Sequence, residues 1–105
     1  MTQPYIYIEN LASMLPEVPS DSIISRTFFE DEQLKAILFG FAPNQELSEH
    51  TAAKPAMLYF VEGTATIKLG EDETTAGPGT WVHMQPHLPH SIHAQTSLVM
   101  LLILL

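Results

Sequence analysis

Apolar and polar positions in this chain change over in short runs, most of them with the two-residue period of a half-buried β-strand. Residues 5–9, Y-I-Y-I-E, alternate and are rich in aromatic and β-branched side chains, which predicts a short strand. Asn10 can cap a short helix over residues 11–15, and Pro16 stops it. Residues 17–22, with Pro19, read as loop. Strands are predicted over 23–29 and 34–42, on either side of the acidic turn E-D-E-Q. The second of these lacks a 3.6-residue period and ends at Pro43-Asn44. Residues 45–55 are polar and irregular. Runs 57–61 and 64–69 flank Glu62-Gly63, and G-E-D-E then turns the chain into a short strand over 74–76. After the breaker Gly77-Pro78-Gly79, strands over 80–85, 90–95 and 98–104 complete the set. About eight or nine short strands with turn signals between them predict an all-β barrel or sandwich.

The final run breaks the alternation. Leu98, Met100, Leu102 and Leu104 form one apolar row, and Val99, Leu101, Ile103 and Leu105 form another. A strand wet on one face would not be written this way. Either the N-terminal segment covers its second face, or that face is a dimer interface, because large apolar patches rarely stay exposed. The two can coexist, and a homodimer through an outer sheet and this strand is the expectation.

Composition narrows the class. A chain of 105 residues can bury a core of its own, and no repeat or linker divides it, so 1–105 reads as one domain. Hydrophobic residues make up 46% and charged ones 15%, which argues against disorder. Twelve acids against four bases give a net charge of −8, the wrong sign for nucleic acid or an anionic membrane. With no cysteine, thiolate metal sites, disulfides and Cys nucleophiles are excluded. The N-terminus lacks the pattern of a signal peptide, and the apolar C-terminal run falls short of the ~20 residues of a membrane helix. A cytoplasmic protein is expected.

Chemistry concentrates in residues 79–94, G-T-W-V-H-M-Q-P-H-L-P-H-S-I-H-A, which hold four of the five histidines. The fifth, His50, lies behind a separate turn. The stretches E-H-T, L-Y-F-V-E-G-T-A-T-I and A-G-P-G-T-W-V-H-M-Q-P-H-L-P-H resemble the two motifs of a small single-domain cupin, G-x5-H-x-H-x3,4-E-x6-G and G-x5-P-x-G-x2-H-x3-N. The likeness covers about 39–105. It implies an antiparallel jelly-roll β-barrel with a site in its mouth, built from residues 34–105, with 1–33 supplying N-terminal strands and a short helix. Asn44 stands at the first Gly of the motif, His50 at the first metal-binding His, Ala52 at the second, and Ala56 at the Glu. In the second motif Gln85, His87 and Ala94 replace Pro, Gly and Asn, while His90 matches the last metal-binding His. The resemblance thus implies a site around His50 and His90, with two of its four usual ligands missing.

A catalytic transition metal usually has three protein ligands. The third could come from His83, His87, His93, Glu49 or Gln85. If His90 points inward, Ile92 and Ala94 do as well, and His93 points away. His83 shares a face with Trp81 and Gln85, so it can join the site only if that face lines the barrel. Leu58, Phe60, Trp81 and Ile92 are candidate pocket walls, with Met84 and Phe41 beside them. Arg26 could clamp a carboxylate if it faced inward. Two readings stand. One is a small-molecule-binding protein whose pocket is built around His50 and His90. The other is a metal-dependent oxygenase or isomerase in which His50, His90 and a third ligand such as His83 hold Zn, Ni, Fe, Mn or Cu.

Overall fold

The computed structural model describes residues 4–105. Nine strands form in chain order: β1 Ile23–Glu30, β2 Lys35–Phe41, β3 Glu46–His50, β4 Ala56–Glu62, β5 Ala65–Leu69, β6 Asp72–Ala76, β7 Trp81–Met84, β8 His90–Ala94 and β9 Leu98–Leu104. All pairings are antiparallel. One sheet runs β1-β2-β9-β4-β7 and the other β3-β8-β5-β6, the two-sheet arrangement of a jelly-roll barrel.

The inner faces follow from the two-residue period. Leu58, Phe60, Met84, Leu98 and Met100 of the five-stranded sheet meet Ala65, Ile67, Ile92 and Ala94 of the four-stranded sheet in one buried cluster. Each large side chain buried there contributes on the order of 1.5–3 kcal/mol. At the β4–β5 turn, Gly63 adopts φ +85°, and a Cβ there would lie 1.9 Å from the Ser97 carbonyl oxygen. No side chain fits that approach of two backbones.

The double apolar row of the last strand has a topological cause. β9 sits in the middle of its sheet, between β2 and β4. Leu98 and Met100 face the core, while Leu101 and Ile103 face outward beneath Tyr5, Ile6 and Leu11. The N-terminal segment continues over β2, where a Cβ on Gly40 would meet Val18 Cγ2 at 2.7 Å and Leu15 Cδ1 at 3.0 Å. That cover leaves Leu38, an outward residue, completely buried.

Three local expectations are corrected. Residues 5–9 form no strand, because the fold offers them no ladder partner. The predicted helix over 11–15 is a single 3₁₀ turn, Leu11–Met14, with Asn10 Oδ1 accepting the Ala12 N–H at 3.1 Å. The polar stretch before Ala56 contains β3, an edge strand in which only Leu47 is even partly buried, so it shows no alternation.

Candidate functional site

Strands β3 and β8 pair at one margin of the four-stranded sheet. Their register runs Glu46 to His93 and Leu47 to Ile92, then slips so that His50, rather than Glu49, stands opposite His90. A bulge of one residue has re-aimed β3, and it reverses which side chain faces the site. The two imidazoles come together with ring centroids 4.2 Å apart and planes inclined at 57°.

Both rings are held in the same way. His50 Nδ1–H donates to the Ser48 carbonyl at 2.8 Å, and His90 Nδ1–H donates to the Leu88 carbonyl at 2.8 Å. A carbonyl only accepts, so these contacts place a proton on Nδ1 of each ring and leave Nε2 as the nitrogen free of the backbone. His90 is buried, the sole buried polar side chain among the described residues, whereas His50 is exposed. No buried side-chain nitrogen or oxygen among the described residues lacks a partner, so the Nε2 of His90 opens to solvent. Burial lowers the His90 pKa from its ordinary 6.5; the Leu88 carbonyl opposes the shift, and the neighbouring His50 adds to it. His90 is therefore neutral at pH 7.

Loops complete the frame. His87 holds φ 68° at the turn between β7 and β8, and its N–H donates to the Ala52 carbonyl at 2.7 Å. The turn before His90 is thereby tied to the segment after His50. Leu69 stands opposite His90 on β5, and both it and Leu88 pack against the core as partly buried apolar neighbours. Sequence patterning did not single out these two leucines. The signal was present, since Leu69 continues the inward row of Ala65 and Ile67, but it required the β5–β8 register.

The other candidate residues lie elsewhere. His83 and Trp81 both face outward on β7, with ring centroids 6.4 Å apart, while Met84 and Val82 take the inner face. The expectations that His83 completes a metal site and that Trp81 lines the pocket are corrected accordingly. Aliphatic side chains win the inner face because burying the Trp N–H and an imidazole would require partners there. Leu58, Phe60 and Ile92 point inward, and each is at most 1% exposed and packed into the core, so they are not walls of an open pocket. A barrel of this size is filled by its own alternate side chains. Phe41 and Met84 belong to the same cluster. His93 faces away, 3.5 Å from Glu46 on the outer surface. Arg26 also faces outward, donating to the Met14 carbonyl at 2.9 Å. An apolar groove of about 760 Å³ and a smaller cavity of about 360 Å³ lie apart from the histidine pair, which lines neither.

The cupin domain family matches residues 37–104, most of the chain. The chain belongs to the cupin domain family. Similar cupin-fold structures span nearly its whole length. A cupin superfamily protein from Desulfitobacterium hafniense shares 22% identity over 97% of this chain and 93% of its own, with a TM-score of 0.87. A conserved protein of unknown function from Streptococcus pyogenes shares 22% over 98% and 90%, with a TM-score of 0.84. An RmlC-like cupin from Desulfovibrio desulfuricans shares 20% over 94% and 95%, with a TM-score of 0.82. At such identities the likeness establishes the fold. No curated protein matches the sequence.

This cupin departs from a three-ligand metal centre in its donor set. His50 and His90 offer two Nε2 lone pairs, whereas Ala52 and Ala56 have no ligating atom and Ala56 is buried in the core. Among the described residues no three His, Cys, Asp or Glu side chains are grouped to hold a metal ion. The residues present therefore fall one ligand short of the usual protein-bound transition-metal site.

Proposed function

We propose that this cupin domain binds a small neutral molecule at the barrel margin, with the Nε2 atoms of His50 and His90 as paired hydrogen-bond acceptors. The observation that carries this reading is that backbone carbonyls pin both Nδ1–H groups, so the two lone pairs are available in one place. The matching ligand carries two donor groups, hydroxyl or N–H, on a body that rests against Leu69 and Leu88. Anions are disfavoured by the net charge of −8. Because His90 is neutral at pH 7, it can also accept a proton from a bound hydroxyl as a general base.

The alternative reading, a metal-dependent oxygenase or isomerase, requires a third donor that His83 does not supply from the outer face. One titration separates the two. Catechol and other small diols are titrated into uniformly ¹⁵N-labelled protein while the imidazole resonances are followed, with and without Zn²⁺ or Ni²⁺. Metal-independent shifts of His50 and His90 are the expected result. Stoichiometric metal uptake that is required for diol binding would overturn the proposed reading in favour of the metal-dependent one.

A further inference from the structure

We propose that His87 is a positioning residue for the paired imidazoles: its left-handed backbone holds the β7–β8 turn in the form that latches onto Ala52, and the latch keeps the Leu88 carbonyl on His90 Nδ1. What this does for a ligand rests on the reading of the pair given above, whereas what it does to His90 does not.

The turn is defined by its bonds. The Gln85 carbonyl accepts the Leu88 N–H at 3.4 Å, so Gln85, Pro86, His87 and Leu88 form one four-residue turn. Proline fixes the second position at φ of about −65°. His87, at the third position, holds φ 68°. That combination is a type II turn, whose third position belongs to Gly or Asn.

The local sequence favours the other form. Proline followed by an ordinary L-residue suits a type I turn. The two forms differ by a flip of the Pro86–His87 peptide, which would carry the His87 N–H to the opposite side. Only the observed form aims that N–H at the Ala52 carbonyl, 2.7 Å away. The bond to Ala52 therefore selects a backbone that the turn residues alone do not.

The latch ends at the site. Ala52 lies just after His50, and Leu88, the residue after His87, gives its carbonyl to His90 Nδ1–H at 2.8 Å. On the far side the Pro89 carbonyl accepts the Gly70 N–H at 2.8 Å, and a Cβ on Gly70 would meet Leu88 Cδ1 at 3.5 Å. The turn is thus fastened to the loops on both sides of it. Release of the Ala52 side leaves the Leu88 carbonyl free to rotate off the ring. The His87 side chain is exposed, so substitutions there act through the backbone.

Long-range ¹H–¹⁵N spectra of the imidazoles in the full chain at neutral pH test this, with calorimetric titration of catechol beside them. The parent protein is expected to hold His90 as the Nδ1–H tautomer. His87→Val, a β-branched residue at positive φ, is expected to give His90 a mixture of both tautomers and to weaken catechol binding by about 10-fold, the scale of the steric cost of that region. His87→Gly and His87→Asn rescue both readouts, because they accept the left-handed backbone. Where His87→Val fails to fold, His87→Ala shows a smaller loss in the same direction. A folded Val or Ala variant whose His90 stays wholly Nδ1–H overturns the proposal. So does a Gly variant that keeps the tautomer but binds catechol more weakly, which would make the His87 imidazole itself the contact. A parent protein that binds no catechol, yet whose His90 tautomer responds to these substitutions, supports the latch and overturns only the pocket reading.

Discussion

His50 stands opposite His90 because β3 carries one extra residue between Leu47 and the end of the strand. In an unbroken ladder Glu49 would hold that place. A carboxylate beside His90 would be a different site, one that favours the charged imidazole, whereas the bulge brings a second imidazole instead.

The two histidines differ in burial, so their substitutions separate binding from folding. His50→Ala should change stability by no more than about 0.5 kcal/mol, because the ring is exposed. It should weaken diol binding by about 3–10-fold, the worth of one neutral hydrogen bond. His90→Ala should weaken binding as well and also cost on the order of 1–3 kcal/mol, because it empties a buried position. Urea denaturation and calorimetric titration of the two variants check this.

His83→Ala should leave both diol binding and any uptake of Zn²⁺ or Ni²⁺ unchanged, since the ring faces outward on β7. A loss of either would contradict the outward placement.

Stability should fall with acid in a window set by His90. Its folded-state pKa is lowered, so the unfolded chain binds the proton more tightly. The contribution is therefore fully present above the unfolded value of about 6.5 and is lost as pH falls below it through the depressed folded value. Urea midpoints measured from pH 7.5 down to 5 should show this decline, and His90→Gln should make it shallower.

Gly63→Ala should destabilise the fold by more than about 1 kcal/mol, because φ +85° and the Ser97 carbonyl both exclude a Cβ. Thermal unfolding measures it directly.

Leu38→Ala should cost about 2–5 kcal/mol despite lying on the outer face, because the side chain is completely buried there. A cost typical of exposed positions would show that the N-terminal segment does not seal β2.

How much of this was legible varies by element. The central strands β4, β5, β8 and β9 were readable because one face of each is buried, and burial imposes alternation or continuous apolarity. The β3 edge strand was not, because a single partly buried residue, Leu47, leaves no period to detect. Residues 5–9 have the pattern of a strand and no ladder to join, since pattern records propensity and a strand also needs a neighbour. On β7 the sequence shows two faces, Trp81 with His83 and Val82 with Met84, without saying which turns inward.

The sequence by itself determined the strands that bury one face or both, the barrel motifs and the two positions, His50 and His90, that could meet, because these depend on local period, turn chemistry and spacing. Only the tertiary structure decided that the two rings do meet, that they share one tautomer, that Leu58, Phe60 and Ile92 fill the interior, and that Trp81 and His83 lie outside. Each of these turns on register between distant strands. A slip of one residue exchanges the faces of a strand, and that slip is set by pairing and packing across the barrel rather than by any stretch of chain alone.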